Sequence, residues 1–62
     1  MPKYKFERNI KSGTIIDKIS YGNSNIALDI ARGWMKEDKD LISVKIEMIN
    51  PKSTYKIIIE RC

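Results

Sequence analysis

One stretch of this chain has the period of a helix, and it sits between four stretches with the period of a strand. Ile26, Ala27, Ile30, Ala31, Trp34 and Met35 recur at helical spacing and predict a helix from Ser24 to Glu37. Leu28 widens that apolar stripe, and Asp29, Arg32 and Lys36 fall on the opposite side. With a single helix available, every strand that needs cover must find it there. The expected architecture is α+β in the order ββαββ: one domain over 1–62, a four-stranded, mainly antiparallel sheet, and one helix packed on one face.

Each flank reads as a hairpin. In the first strand Tyr4, Phe6, Arg8 and Ile10 share a side, opposite Lys3, Lys5 and Glu7. After a turn at Lys11-Ser12-Gly13, Ile15, Ile19 and Tyr21 face the core side. Setting Ile10 across from Ile15 matches Arg8 with Asp17, Phe6 with Ile19 and Glu7 with Lys18; a two-residue slip would put Phe6 across from Asp17. In the second hairpin Ile42, Val44, Ile46 and Met48 share a side, and Asn50-Pro51-Lys52-Ser53 fits a type I turn. Val44 then meets Ile59, Ile46 meets Ile57, Met48 meets Tyr55 and Ile49 meets Thr54. Short loops at both helix ends favour the sheet order 2-1-3-4, with 2-1-4-3 as the rival. Ser24 is the expected N-cap. The expected core is Phe6, Ile19, Ile30, Trp34, Val44, Ile46 and Ile57, with Trp34 near its centre.

A chain of 62 residues buries only about 60% of its unfolded surface, so its stability is marginal without a further constraint. One cysteine, Cys62, precludes an intrachain disulfide; read on its surroundings it is an inert terminal thiol. The absence of histidine removes the usual zinc ligand and the usual general base near neutral pH, so we expect neither metal, cofactor nor catalytic site. Glu37-Asp38-Lys39-Asp40 fails as a calcium loop: counted from Asp38, the sixth position is Ser43 and the twelfth Ile49. No apolar run is long enough for a membrane span, and Met1-Pro2-Lys3 leads straight into a strand pattern. We therefore expect no targeting segment and a cytoplasmic protein.

Net charge is +4, distributed as +3 over 1–20, −1 over 21–40 and +2 over 41–62. The strands are basic, which permits nucleic-acid contact without requiring it. The expected outer sheet face carries Lys18, Lys45 and Lys56 beside Ile16, Ile49 and Ile58, with every aromatic ring on the other side. Single-strand nucleic-acid platforms stack bases on exposed rings, so this face suits a protein partner better. The last strand, with Tyr55, Ile57, Ile58 and Ile59, is strongly β-forming and is the expected dimer edge. Isoleucine- and lysine-rich composition points to an AT-rich genome, bacterial or belonging to a phage or mobile element. Together these features lead us to expect a small non-catalytic interaction module, an inhibitor or adaptor that acts as a homodimer on a larger protein. The alternative is a basic nucleic-acid-binding protein using the outer face. No motif in the chain is specific to a family.

Overall fold

A computed structural model of the chain describes residues 1–61; Cys62, and with it the terminal thiol, lies outside the described residues. Strands β1 (Lys3–Ile10) and β2 (Gly13–Ser20) precede helix α1 (Ser24–Glu37), and β3 (Leu41–Asn50) and β4 (Lys52–Glu60) follow it. All neighbouring strands are antiparallel and the sheet order is β2-β1-β3-β4, so both central strands sit between a hairpin partner and each other. The helix lies on one face. Asn23 rather than Ser24 is its N-cap, its Oδ1 accepting from the Ile26 amide at 3.0 Å.

The fully buried side chains are Tyr4 and Phe6 of β1, Leu41, Val44 and Ile46 of β3, and Ala27 and Ala31 of the helix. None comes from β2 or β4. A helix of 14 residues is about 21 Å long but only about 10 Å wide with its side chains, roughly two strand spacings of about 4.8 Å. It roofs the central pair and leaves the edge strands partly open. Ile19, Ile30, Trp34, Met48, Tyr55 and Ile59 are half-buried and pack around the buried cluster. Ile57, expected in the core, is half-buried and outside that packed set, because β4 lies beyond the roof. Ile15, on the opposite edge strand, is exposed for the same reason, and Ile26 on the helix is exposed as well. The centre belongs to the two alanines, whose small side chains let the helix approach the sheet. Trp34 lies toward the helix C-terminus, its ring edge-on to Phe6 at 5.2 Å.

The first hairpin adopts the register that is two residues away from the expected one: Ile10 faces Gly13, Arg8 faces Ile15, Phe6 faces Asp17 and Tyr4 faces Ile19. A two-residue loop, Lys11-Ser12, closes it, and Gly13 takes φ +153, which side-chain-bearing residues rarely adopt. Asp17 still reaches Arg8 on the diagonal, Oδ2 accepting from Nη2 at 2.6 Å. The second hairpin has the expected register from Val44–Ile59 through Glu47–Lys56, then shifts so that Ile49 faces Lys52. Its turn is tighter than the expected type I form, with a cis Asn50–Pro51 peptide. A second irregularity lies between β1 and β3, where Asn9 pairs with Ser43 but Ile10 with Leu41. It turns Leu41 inward and leaves Ile42, expected on the core side, 48% exposed.

Candidate functional site

The sheet face turned away from the helix is uncovered. Its side chains stand in rows across the four strands, set by the pairing. One row is Thr14, Asn9, Ser43 and Glu60. There the Thr14 hydroxyl donates to Asn9 Oδ1 at 2.9 Å and Asn9 Nδ2 donates to Ser43 Oγ at 2.9 Å, a polar ladder joining three strands. The next row is Ile16, Glu7, Lys45 and Ile58, and the next Lys18, Lys5, Glu47 and Lys56. Ile16 and Ile58, at opposite ends of one row, are 53% and 56% exposed.

Five of the six expected surface residues therefore occupy two adjacent rows: Ile16, Lys45 and Ile58 in one, Lys18 and Lys56 in the other. Ile49 is apart from them, half-buried at the irregularity before the turn. The register also redistributes charge. Lys18 faces Lys5 rather than Glu7, and Glu7 faces Ile16. Among the described residues the only salt bridge is Arg8–Asp17, so the lysines of this face hold no carboxylate within bonding range.

β4 pairs with β3 on one side only and forms an edge of the sheet. Tyr55, Ile57 and Ile59 point to the helix side and Ile58 to the open face. Its C-terminal end is tied down by Arg61. The Arg61 guanidinium donates to the carbonyls of Leu41 (2.9 Å), Met35 (2.6 Å) and Asp38 (2.9 Å), and the Arg61 amide donates to the Ile42 carbonyl at 3.0 Å. A cation among the last carbonyls of a helix satisfies orphan acceptors and opposes the negative end of the dipole. This role was missed in the sequence. The signal was there: the helix ends in Glu37-Asp38 with no glycine to cap it, which calls for a cation from elsewhere.

On the helix side, Arg8 is sandwiched. Its guanidinium lies 4.3 Å from the centre of the Trp34 ring while it pairs with Asp17; their side chains are 23% and 34% exposed, and the Arg8 Nε has no partner. Near the start of the helix, Tyr4 and Tyr55 meet edge-on at 5.9 Å. Burial raises the Tyr55 phenol above its ordinary value; the Ser24 side chain opposes the shift and the Tyr4 phenol adds to it. The Tyr4 hydroxyl is buried without a partner.

Among the described residues no cavity opens, no group of three metal-binding side chains forms, and no helix is long and apolar enough to cross a membrane. Comparison with protein-family models, with curated proteins and with solved structures finds no match.

Proposed function

We propose that this protein is a non-catalytic interaction module that binds and modulates a larger protein through its uncovered sheet face, acting in the cytoplasm as a homodimer. The observation that carries this reading is the row Ile16–Glu7–Lys45–Ile58, two exposed isoleucines bracketing two charges on a flat face with no ring. Such a mosaic is suited to a complementary protein surface, where apolar anchors supply affinity and charges set register. Small size, the lack of histidine and the lysine- and isoleucine-rich composition support an inhibitor or adaptor of the kind that phages and mobile elements direct at host proteins.

The facing of Lys5 by Lys18 favours a second reading, a nucleic-acid surface built on Lys3, Lys5, Lys18 and Lys56. One experiment separates the two. The tagged chain is recovered from bacterial lysate with and without nuclease, beside an Ile16→Asp/Ile58→Asp variant and a Lys5→Gln/Lys18→Gln/Lys56→Gln variant. The interaction reading expects a stoichiometric protein that survives nuclease and is lost from the isoleucine variant. Recovery of nucleic acid, lost with added salt and from the lysine variant, would replace it with the second reading.

A further inference from the structure

We propose that the homodimer forms by antiparallel pairing of β4 with β4 of a second copy, centred on Ile58, to give a continuous eight-stranded sheet. This rests on the reading of the chain as a dimeric module and deepens it by naming the interface. Three observations converge on it.

The first is the direction of the free backbone groups. The Arg61 amide is turned inward, donating to the Ile42 carbonyl of β3. Backbone groups alternate sides along an antiparallel strand. The amides and carbonyls of Ile57 and Ile59 therefore face β3, and those of Lys56, Ile58 and Glu60 face outward with no strand beside them. A two-fold axis through Ile58 pairs these three residues with Glu60, Ile58 and Lys56 of the second copy.

The second is side-chain complementarity in that register. On the open face, Lys56 meets the second copy's Glu60 at both ends, and the two Ile58 side chains meet at the axis. On the helix side, Ile57 meets the second copy's Ile59 twice, which covers the isoleucine that the helix leaves outside the packed core. Centring on Lys56 would oppose two lysines. Centring on Ile57 would set Lys56 against Ile58, and centring on Ile59 would set Glu60 against Ile58. The two-fold axis runs normal to the sheet, so both helices lie on one face and both interaction rows on the other.

The third is the contrast with the other edge. In β2 a two-fold centred on Asp17 or Lys18 opposes like charges, and one centred on Ile16 sets Asp17 against Ile15. Asp17 is also committed to Arg8. Charges guard β2, whereas the charges of β4 are arranged to match.

The test uses the purified full chain. Sedimentation equilibrium should show a dimer. Amide exchange should show Lys56, Ile58 and Glu60 gaining protection as concentration rises, while Ile57 and Ile59 are protected throughout. Lys56→Glu or Glu60→Lys alone should raise the dimer dissociation constant about tenfold, and the two together should bring it back to within about threefold of the parent. Far-UV circular dichroism at low concentration checks each fold. Lys56→Glu faces Glu47 within its own chain; if it unfolds, Glu60→Lys, which faces Ser43, carries the test, and must both weaken the dimer and strip Ile58 of its concentration-dependent protection. A monomer with unprotected Lys56, Ile58 and Glu60 amides overturns the proposal. So does a dimer that the double exchange does not rescue. A monomer that still captures its partner through Ile16 and Ile58 removes this dimer and the homodimeric part of the proposed function, and leaves the binding of a larger protein through the open face standing; a dimer that captures nothing does the reverse.

Discussion

The two edges of the sheet are each tied to the helix by an arginine, and in opposite ways. β2 is tied through its middle: Asp17 holds Arg8, and Arg8 lies against Trp34. β4 is tied at its end, where Arg61 gathers three carbonyls around the helix C-terminus. A tie through the middle consumes the charge of an edge strand and leaves its isoleucines beside a guarding carboxylate. A tie at the end leaves the middle of the strand unencumbered, with matched charges and outward amides. Neither edge lies under the helix, so it is the placement of the arginine, rather than burial, that distinguishes the two edges.

Trp34→Ala is the strongest attack on the β2 tie, since it removes both the ring over Arg8 and the ring against Phe6. For a half-buried tryptophan we expect a loss of about 3 kcal/mol, seen as a melting temperature lower by more than about 10 °C, with β2 amides exchanging first. Equal loosening of β4 would remove the distinction between the edges. Arg61→Ala should cost about 1–2 kcal/mol in urea unfolding and speed exchange at the end of the helix and in the loop to β3, with β2 unaffected. Asp17→Ala should cost about 1 kcal/mol or less, the pair being partly exposed. Arg8→Met loses the Asp17 pair and the stack on Trp34 but discards a buried Nε that has no partner, so it should cost no more than about 1 kcal/mol. A large loss from Arg8→Met would mean that the middle tie is stronger than the end tie.

The smallest effect belongs to Tyr55. Its raised pKa means that the folded chain holds that proton to higher pH than the unfolded chain does. The associated stability is complete below about pH 10 and is lost as pH rises through the folded value. Urea midpoints measured across about pH 9 to 11 should fall more steeply for the parent than for Tyr55→Phe. Parallel slopes would show that the β4 side of the core is wetter than its packing implies.

The two hairpins show how far local rules reach. In the second, the apolar faces of β3 and β4 admit one good register, and Val44–Ile59 and Ile46–Ile57 form as expected. In the first, both registers bring Arg8 within reach of Asp17, one directly and one diagonally, so the charge match does not discriminate. The two-residue loop with Gly13 at its end, and the stack of Arg8 under Trp34, select the diagonal one. Placing Phe6 across from Asp17 carries little penalty because Phe6 finds its apolar neighbours in Trp34 and Tyr21, at 5.2 and 6.3 Å. Gly13→Ala is a direct check: at φ +153 it should cost about 1 kcal/mol and leave the second hairpin intact. The rows of the open face were legible only in part. Lys45, Ile58 and Lys56 follow from the second hairpin, whereas the neighbours of Ile16 and Lys18 changed with the register of the first.

Periodicity by itself determined the elements, their order and, Ile42 at the irregular start of β3 excepted, the side of each strand that turns inward, because those depend on residues two to four apart in the chain. The sheet order was left between 2-1-3-4 and 2-1-4-3, and the pairing of β3 with β1 decided it for the first. Tertiary structure decided what depends on finite widths and distant partners. A helix two strands wide placed alanines rather than tryptophan at the centre and left Ile57 and Ile15 at the margin. Arg61 found its acceptors in Met35, Asp38 and Leu41, more than a strand's length away in sequence, where no local pattern could announce them.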